Sequence, residues 1–125
     1  MLYKLTCQPT TKYLHITVQG TNSIENVLSY LSDVREKCLE QNCFNVLVEE
    51  NLQGPGLRTF DIFEVVKEAS KNVHPQVFRI AYVDVNPEHN QVDLRFAENV
   101  AVNRGVNVRL FSTVAEAESW LSGLT

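Results

Sequence analysis

The chain has 125 residues, enough for one domain with a single hydrophobic core and too few for two ordinary domains. Hydrophobic residues make up 44% of the sequence and charged residues 21%, proportions typical of globular rather than disordered proteins. The 15 acidic side chains outnumber the 11 basic ones, and the net charge of −4 gives no general electrostatic attraction to nucleic acid or to an anionic membrane.

The number of cysteines and the length of the apolar runs indicate the cellular compartment in which the protein is expected. Cys7, Cys38 and Cys43 are odd in number and form no CxxC pair, which argues against a disulfide framework. No apolar run approaches the roughly 18 residues of a membrane span, and the N-terminal stretch lacks the apolar region of a signal peptide. We therefore expect a cytoplasmic protein with reduced thiols and no transmembrane segment.

The first elements predict a β-hairpin followed by a helix. The alternating segments LYKLTCQ and KYLHITVQG are joined by a short PTT turn, and the second places Leu14, Ile16 and Val18 on one face. A helix begins after Ser23, a suitable N-cap, and its apolar stripe must cover a sheet. The stripe comprises Ile24, Val27, Leu28, Leu31, Val34 and Cys38.

The middle of the chain predicts a strand, a helix and another strand. FNVLVEE is a nearly unbroken apolar run, typical of a central parallel strand covered on both faces. Thr59 is expected to cap the second helix, and VFRIAYVDV predicts the next strand. The apolar stripe of this helix comprises Ile62, Phe63, Val66, Ala69 and Val73.

The last part predicts a third helix, a strand and a terminal helix. Asn86–Pro87 is expected to begin the third helix and Gly105 to end it, with Phe96, Ala97, Val100 and Ala101 along one side. NVRLF predicts the strand, and the spacing of Thr113 and Glu116 predicts a capping box. Inward-facing positions of the last helix are Ala117, Trp120, Leu121 and Leu124.

The resulting order ββαβαβαβα predicts the fold class. Repeated strand–helix units require right-handed crossovers, which give parallel strands covered by helices, and the hairpin adds one antiparallel pair. We therefore predict a single-domain α/β fold over residues 1–125, with a mixed, mostly parallel five-stranded sheet.

With this layout, the chain resembles the sulfate-transporter and anti-sigma-factor-antagonist (STAS) superfamily, in its stage II sporulation protein AA-like branch. FRIAYVDVNPE and VRLFSTVAEAESWL carry the resemblance, which runs over nearly the whole chain. In regulatory members, the turn between the third strand and the following helix carries an Asp-Ser-Ser-Gly-Leu type motif whose serine is phosphorylated to switch partner binding. QGPGL is similar to that turn, with Pro55 at the serine position. The resemblance thus implies a regulatory module without this phosphorylation switch.

The segment EENLQGPGLR leaves two interpretations open. Gly54 and Gly56 suit a turn with positive φ, and the same loop could contact a partner or ligand. Phosphate binding is disfavoured, because no Lys-Ser/Thr follows the glycines and Pro55 removes one amide donor.

Catalytic and metal-binding patterns are weak. Glu88, His89 and Asp93, near Asp84, are interpreted as a solvated helix start rather than a metal site, because no second histidine accompanies His89. The cysteines are interpreted as small buried hydrophobes, and no Ser-His-Asp set can be assembled. We expect no enzyme activity, no cofactor and no metal site.

The leading hypothesis is a non-enzymatic module that binds a protein partner through residues 51–60, because Phe60 falls off the apolar stripe of its helix. The expected partner-binding residues are Leu52, Gln53, Gly54, Pro55, Gly56, Leu57 and Phe60. The alternative is a carrier or sensor of a small hydrophobic or lipid-like ligand, with peripheral membrane association as an option. Its pocket would lie under the second or third helix, lined by Phe63, Phe96 and Val100. Homo-oligomer formation stays open.

Overall fold

The computed structural model describes residues 3–55, 59–71 and 79–123, without the side chains of Thr59, Phe60 and Ser70. The elements follow the order ββαβαβαβα, which confirms the predicted α/β fold. They are β1 (Tyr3–Pro9), β2 (Leu14–Thr21), α1 (Ile24–Gln41), β3 (Asn45–Gln53), α2 (Thr59–Ser70), β4 (Arg79–Asp84), α3 (Gln91–Asn103), β5 (Val108–Leu110) and α4 (Val114–Ser122).

The five strands form one sheet in the order β1-β2-β3-β4-β5. The β1–β2 hairpin is antiparallel, and the β2–β3, β3–β4 and β4–β5 pairs are parallel. Since each crossover leads to the next strand in the same direction, right-handed connections place α1, α2 and α3 on the same face of the sheet. Helix α4 packs on the opposite face, against β3 and β4.

Alternation along the strands divides the core between these two faces. Leu14, Ile16 and Val18 face the α1 side, as the sequence predicted, together with Val46 and Val48. The opposite face carries a smaller core beneath α4, comprising Tyr13, Leu47, Ala81, Val83, Ala117 and Leu121. Odd and even positions of β3 therefore belong to different cores, as expected for a strand covered on both sides.

The predicted helix stripes are confirmed in part. Val27, Val34 and Cys38 of α1 are buried, and Tyr30, which the predicted stripe omitted, is fully buried between them. In α4, Ala117 and Leu121 are fully buried, whereas Trp120 is half-buried and packs against Phe111 and the Arg79 guanidinium. Val73 and Leu124 lie outside the described residues.

Two of the predicted caps are confirmed and one is wrong. Ser23 accepts a hydrogen bond from the Asn26 amide, and Thr113 accepts one from Glu116. Helix α3 begins at Gln91 with Asn90 as its N-cap, instead of at Asn86–Pro87. Asn86 instead forms a turn before the helix, because its side-chain oxygen accepts from the Glu88 amide at 2.9 Å. The side chain of Thr59 is not among those that the structure describes, so its capping role stays a prediction.

Within the described part of the chain, the helices are too short or too polar to cross a membrane.

Candidate functional site

A cavity of about 400 Å³ lies between the sheet and helices α1, α2 and α3. Helix α2 packs chiefly against α1 and α3, whereas α4 lies directly on the other face of the sheet. Most of the wall is apolar. Among the aliphatic lining residues are Val46, Val48 and Ile80 from the sheet, Leu31 and Val34 from α1, Ile62, Val65 and Val66 from α2, and Leu94 and Ala97 from α3.

Polar side chains gather where β3 and β4 end. Glu50 follows Val46 and Val48 in the alternation of β3, so its side chain lies on the cavity face. In the parallel register, Glu50 pairs with Asp84 of β4. The carboxyl ends of parallel strands are where ligand sites form in open α/β sheets. We call Tyr30, Glu50, Tyr82, Asp84 and His89, all of which line the cavity, the polar cluster.

Glu50 is the most unusual residue of the polar cluster. It is 5% exposed, and its carboxyl group accepts hydrogen bonds from the Tyr30 and Tyr82 hydroxyls. Burial raises the pKa of Glu50 to about 7 and the charge of Asp84 adds to this, although the tyrosine hydrogen bonds and His89 oppose it. Glu50 therefore exchanges between neutral and ionised forms near neutral pH.

Both tyrosines of the polar cluster stay protonated. Burial, followed by the charge of Glu50, raises the pKa of Tyr30 and of Tyr82 well above the ordinary value. Their hydroxyls therefore act as hydrogen-bond donors to Glu50 at any physiological pH.

His89 and Asp84 form a buried ion pair beside Glu50. Nδ1 of His89 lies 2.5 Å from Oδ2 of Asp84, and Nε2 lies 3.0 Å from the Gly54 carbonyl oxygen. A carbonyl only accepts, so Nε2 carries a proton, and the carboxylate favours a second proton on Nδ1. Burial opposes the charged form, but the hydrogen bonds to Asp84 and Gly54 outweigh it and raise the pKa of His89. The geometry therefore favours an imidazolium.

The predicted solvated helix start is wrong for His89 and for the neighbouring Asp84. The side chains of His89 and Asp84 are only 3% and 1% exposed, whereas Glu88 is exposed and Asp93 is half-buried. The turn formed by Asn86 explains this, because it folds His89 back over the end of β4 before α3 begins. Sequence reasoning missed Glu50 and Tyr30 as site residues altogether.

The same three titratable side chains could in principle surround a cation. Ligand atoms of Glu50, Asp84 and His89 lie within 4.8 Å of one another. Both nitrogens of His89 are already hydrogen-bonded, to Asp84 and to Gly54, and Glu50 is held by two tyrosine hydroxyls. We therefore interpret this group as a hydrogen-bonded network rather than as a set of metal ligands.

The chain was compared with protein families and with curated proteins. No family model and no curated protein matches it. The resemblance to the STAS superfamily stays a prediction, and the site is interpreted from its own geometry.

The predicted partner-binding residues have different surroundings. Leu52 is fully buried in the core, so its expected role in direct partner contact is corrected. Gln53 and Pro55 are exposed, and Gly54 has a φ of +102° that favours glycine, as the turn interpretation requires. Gly56, Leu57 and the side chain of Phe60 lie outside the described residues.

The predicted pocket lies where the sequence placed it, but its lining is corrected. Phe63, Phe96 and Val100 are half-buried, and none of them lines the cavity. Other members of the predicted apolar stripes, including Ile62 and Ala97, line the cavity instead. Phe63 packs under the guanidinium of Arg104, whose carbon lies 5.5 Å from the ring centroid. Periodicity identified the correct helices and most of their apolar cavity-facing positions, whereas the three residues chosen from those stripes as the pocket lining lie beside the cavity.

Proposed function

We propose that the protein binds a small, mainly apolar molecule in the cavity and acts as its carrier or sensor, without catalysis. The observation that carries this proposal is the combination of apolar walls with a single buried polar cluster. Small-molecule sites typically combine a concave apolar surface of roughly 300–1,000 Å³ with a few polar groups that fix orientation. A volume of about 400 Å³ falls within that range.

Packing supports an occupied cavity. Protein interiors are close-packed, and side chains that line an unfilled space lose dispersion contacts on that side. The lining residues include Val46, Val48 and Tyr30, which belong to the main core of the domain. An apolar ligand would restore these contacts and so stabilise the fold.

Binding accounts for the polar cluster better than catalysis does. The hydroxyls of Tyr30 and Tyr82 and both nitrogens of His89 are engaged within the network. Cys38 also lines the cavity, but burial raises the pKa of its thiol to about 11, so the nucleophilic thiolate is scarce. Glu50 has a pKa suited to proton transfer, yet no activated nucleophile accompanies it among the described residues.

Partner binding through the loop after β3 is a second candidate, favoured by a specific contact. The Gly54 carbonyl accepts from His89 of the polar cluster, and the Pro55 carbonyl accepts from the Asn22 side chain at 2.9 Å. The exposed Gln53 and Pro55 are therefore joined to the cavity by hydrogen bonds. A ligand that disturbs the polar cluster would alter the surface that a partner meets.

A cavity-filling variant tests the proposed function. We expect native mass spectrometry of the purified protein to show a bound small molecule, and the neutral apolar dye N-phenyl-1-naphthylamine to fluoresce on binding. Ala97→Leu places a larger side chain on the cavity wall and should abolish both signals. Ala115→Leu makes the same change at an exposed position of α4 and should leave them unchanged. Equal dye binding by all three proteins would contradict a ligand in this cavity.

A further inference from the structure

The charges around the cavity restrict the kind of ligand that it accepts. Among the residues that the structure describes, five carboxylate side chains line it, against two cationic ones, Arg35 and His89. The carboxylates are Glu50, Glu68, Asp84, Asp93 and Glu98. An anionic head group would therefore meet an excess of like charge in surroundings of low polarity, where such repulsion is strong.

Most of these carboxylates already have described partners. Asp84 pairs with His89, Glu68 lies 3.4 Å from the Lys71 ammonium, and Glu98 accepts from the Leu110 amide at 2.5 Å. Glu50 and Glu98 have described hydrogen bonds from neutral donors alone, and Glu50, held by the hydroxyls of Tyr30 and Tyr82, is the more deeply buried of the two. Among the described residues, Glu50 is also the most deeply buried of the cavity carboxylates that have no cation in direct contact.

His89, the cationic member of the polar cluster, does not donate a hydrogen bond to Glu50. The two N–H groups of His89 point at Asp84 and at the Gly54 carbonyl, so neither donates to Glu50. An ionised carboxylate buried without a cationic partner is costly, and a group that supplies the positive charge stabilises it. The cavity therefore offers a buried anion beside apolar walls, which together match one class of molecule.

We propose that the ligand is a hydrophobic amine whose ammonium group pairs with Glu50 while its hydrocarbon part fills the space beneath α2. This inference rests on the proposed function and specifies the ligand of the same cavity. The ammonium donates to the carboxylate oxygens that the tyrosine hydroxyls leave available, since an ionised carboxylate accepts about four hydrogen bonds. The hydrocarbon part contacts the aliphatic side chains of the wall.

Binding of an ammonium ion is linked to protonation. The titratable groups that face Glu50 are Tyr30 from α1, Tyr82 and Asp84 from β4, and His89 from the turn before α3. Both tyrosines stay neutral. The pKa values of Glu50 and of His89 are both raised, so both groups lose a proton as the pH rises through or above the neutral range, and Glu50 is the one that the ammonium would contact. The pKa of Glu50 is raised to about 7, and a bound ammonium favours the ionised carboxylate, so binding of the amine at neutral pH should release protons.

Three probes with one hydrocarbon chain test the inference, namely hexylamine, hexan-1-ol and hexanoate. Titration calorimetry at pH 7, in two buffers that differ in ionisation enthalpy, measures affinity and proton release together. We expect hexylamine to bind at least tenfold more tightly than hexanoate, with hexan-1-ol between them. Of the three probes, only hexylamine should release protons when it binds. Hexanoate binding as tightly as hexylamine would overturn the inference.

Two variants distinguish pairing of the amine with Glu50 from an effect of the protein's net charge. Each of them removes one carboxylate. Glu50→Gln should weaken hexylamine binding about tenfold or more, abolish proton release and leave hexan-1-ol within about twofold. Glu49→Gln changes the adjacent residue, which pairs with His15 at 2.9 Å and does not line the cavity, so it should change none of these values. Equal losses in both variants would refute pairing with Glu50. If Glu50→Gln does not fold, the ranking of probes and the proton release of the native chain decide.

The outcomes also distinguish this inference from the function on which it rests. If N-phenyl-1-naphthylamine binds the native chain and not Ala97→Leu, while hexylamine shows no preference over hexanoate, the cavity binds apolar molecules and the amine inference is wrong. If neither the dye nor any of the three probes binds, the proposed function itself is wrong.

Discussion

Nε2 of His89 donates a hydrogen bond to the carbonyl oxygen of Gly54, 3.0 Å away, and so joins the turn after β4 to the end of β3. The same ring pairs with Asp84 through Nδ1. Nearby, the Asn86 side chain donates to the Leu52 carbonyl at 2.7 Å, which makes a second link between the same two segments. The carboxyl ends of β3 and β4 are therefore held together by side chains as well as by the sheet ladder.

Removing the imidazole should destabilise the fold strongly. In His89→Ala, the carboxylate of Asp84 would remain buried without its cation, and breaking a buried pair in this way typically costs about 3–5 kcal/mol. Urea unfolding followed by Trp120 fluorescence measures the free energy of unfolding. His15→Ala is the control, because its pair with Glu49 is partly exposed and such pairs contribute about 1 kcal/mol or less. Similar losses in both variants would show that the Asp84–His89 pair is not structurally important.

The part of the fold that could be predicted from sequence is the part set by local patterns. Strand alternation and helix caps at Ser23 and Thr113 depend on neighbouring residues, and both appear in the structure as predicted. The predicted start of α3 was wrong because Asn86 and Asn90 are both suitable caps. Asn86 is held in a turn by a local hydrogen bond from the Glu88 amide and by a tertiary one to the Leu52 carbonyl, which leaves Asn90 as the cap.

The polar cluster could be recognised only once the sheet was assembled. Glu50 and Asp84 each lie at the end of an apolar run in the sequence, a position that by itself suggests exposure to solvent. Their proximity follows from the parallel register that pairs them, and their burial follows from α1 covering that edge with Tyr30. Alternation fixes the face on which a side chain lies but not how deeply a distant helix buries it. The spacing of Tyr30 from Val27 and Val34 was the signal that could have placed it on the helix stripe.

The stability of the protein should fall as the pH rises from about 4.5 to about 7, because of Glu50. Its pKa increases from an ordinary 4.5 to about 7 on folding, mainly through burial, so the folded state binds more protons than the unfolded state in this interval. At about 1.4 kcal/mol per pKa unit, the loss attributable to Glu50 is about 3 kcal/mol by pH 8. Glu50→Gln cannot ionise and should lack this loss.

Urea unfolding at pH 5 and pH 8 measures the effect as a difference between proteins. His89 contributes with the same sign, since its pKa is raised and its stabilisation is lost as the pH rises through the folded value. Because the charge of Glu50 helps to raise the pKa of His89, the difference between the native chain and Glu50→Gln measures Glu50 together with its coupling to His89. Glu49→Gln again serves as the control and should follow the native chain. A pH dependence that is identical in the native chain and Glu50→Gln would contradict a buried, titrating Glu50.

Divalent transition metals should not stabilise the native fold. Coordination by Glu50, Asp84 and His89 would have to break the hydrogen bonds of His89 to Asp84 and Gly54, which already satisfy both ring nitrogens. We expect the melting temperature to change by less than about 1 °C on adding equimolar Zn²⁺ or Mn²⁺, or on adding EDTA, because binding to the folded state alone would raise it. A rise with Zn²⁺ in the native chain that is absent in Glu50→Gln would instead identify these side chains as metal ligands.

Removing the Tyr30 hydroxyl should destabilise the protein more at high pH than at low pH. The hydroxyl donates to Glu50, and this bond favours the ionised form of the carboxyl group, so Tyr30→Phe should raise the pKa of Glu50 further. A hydrogen bond to a charged group contributes about 1.5–3 kcal/mol, against about 1 kcal/mol for a neutral one. The cost of Tyr30→Phe should therefore be about 1 kcal/mol at pH 5 and about twice that at pH 8.

Tyr13→Phe removes a hydroxyl that donates to Glu118 at 2.7 Å on the opposite face of the sheet, away from the polar cluster, and provides the matched control. Urea unfolding of both variants at the two pH values measures the difference. An equal cost of Tyr30→Phe at pH 5 and pH 8 would mean that Glu50 does not change charge beside this hydroxyl, and the linkage between proton release and amine binding would lose its structural basis.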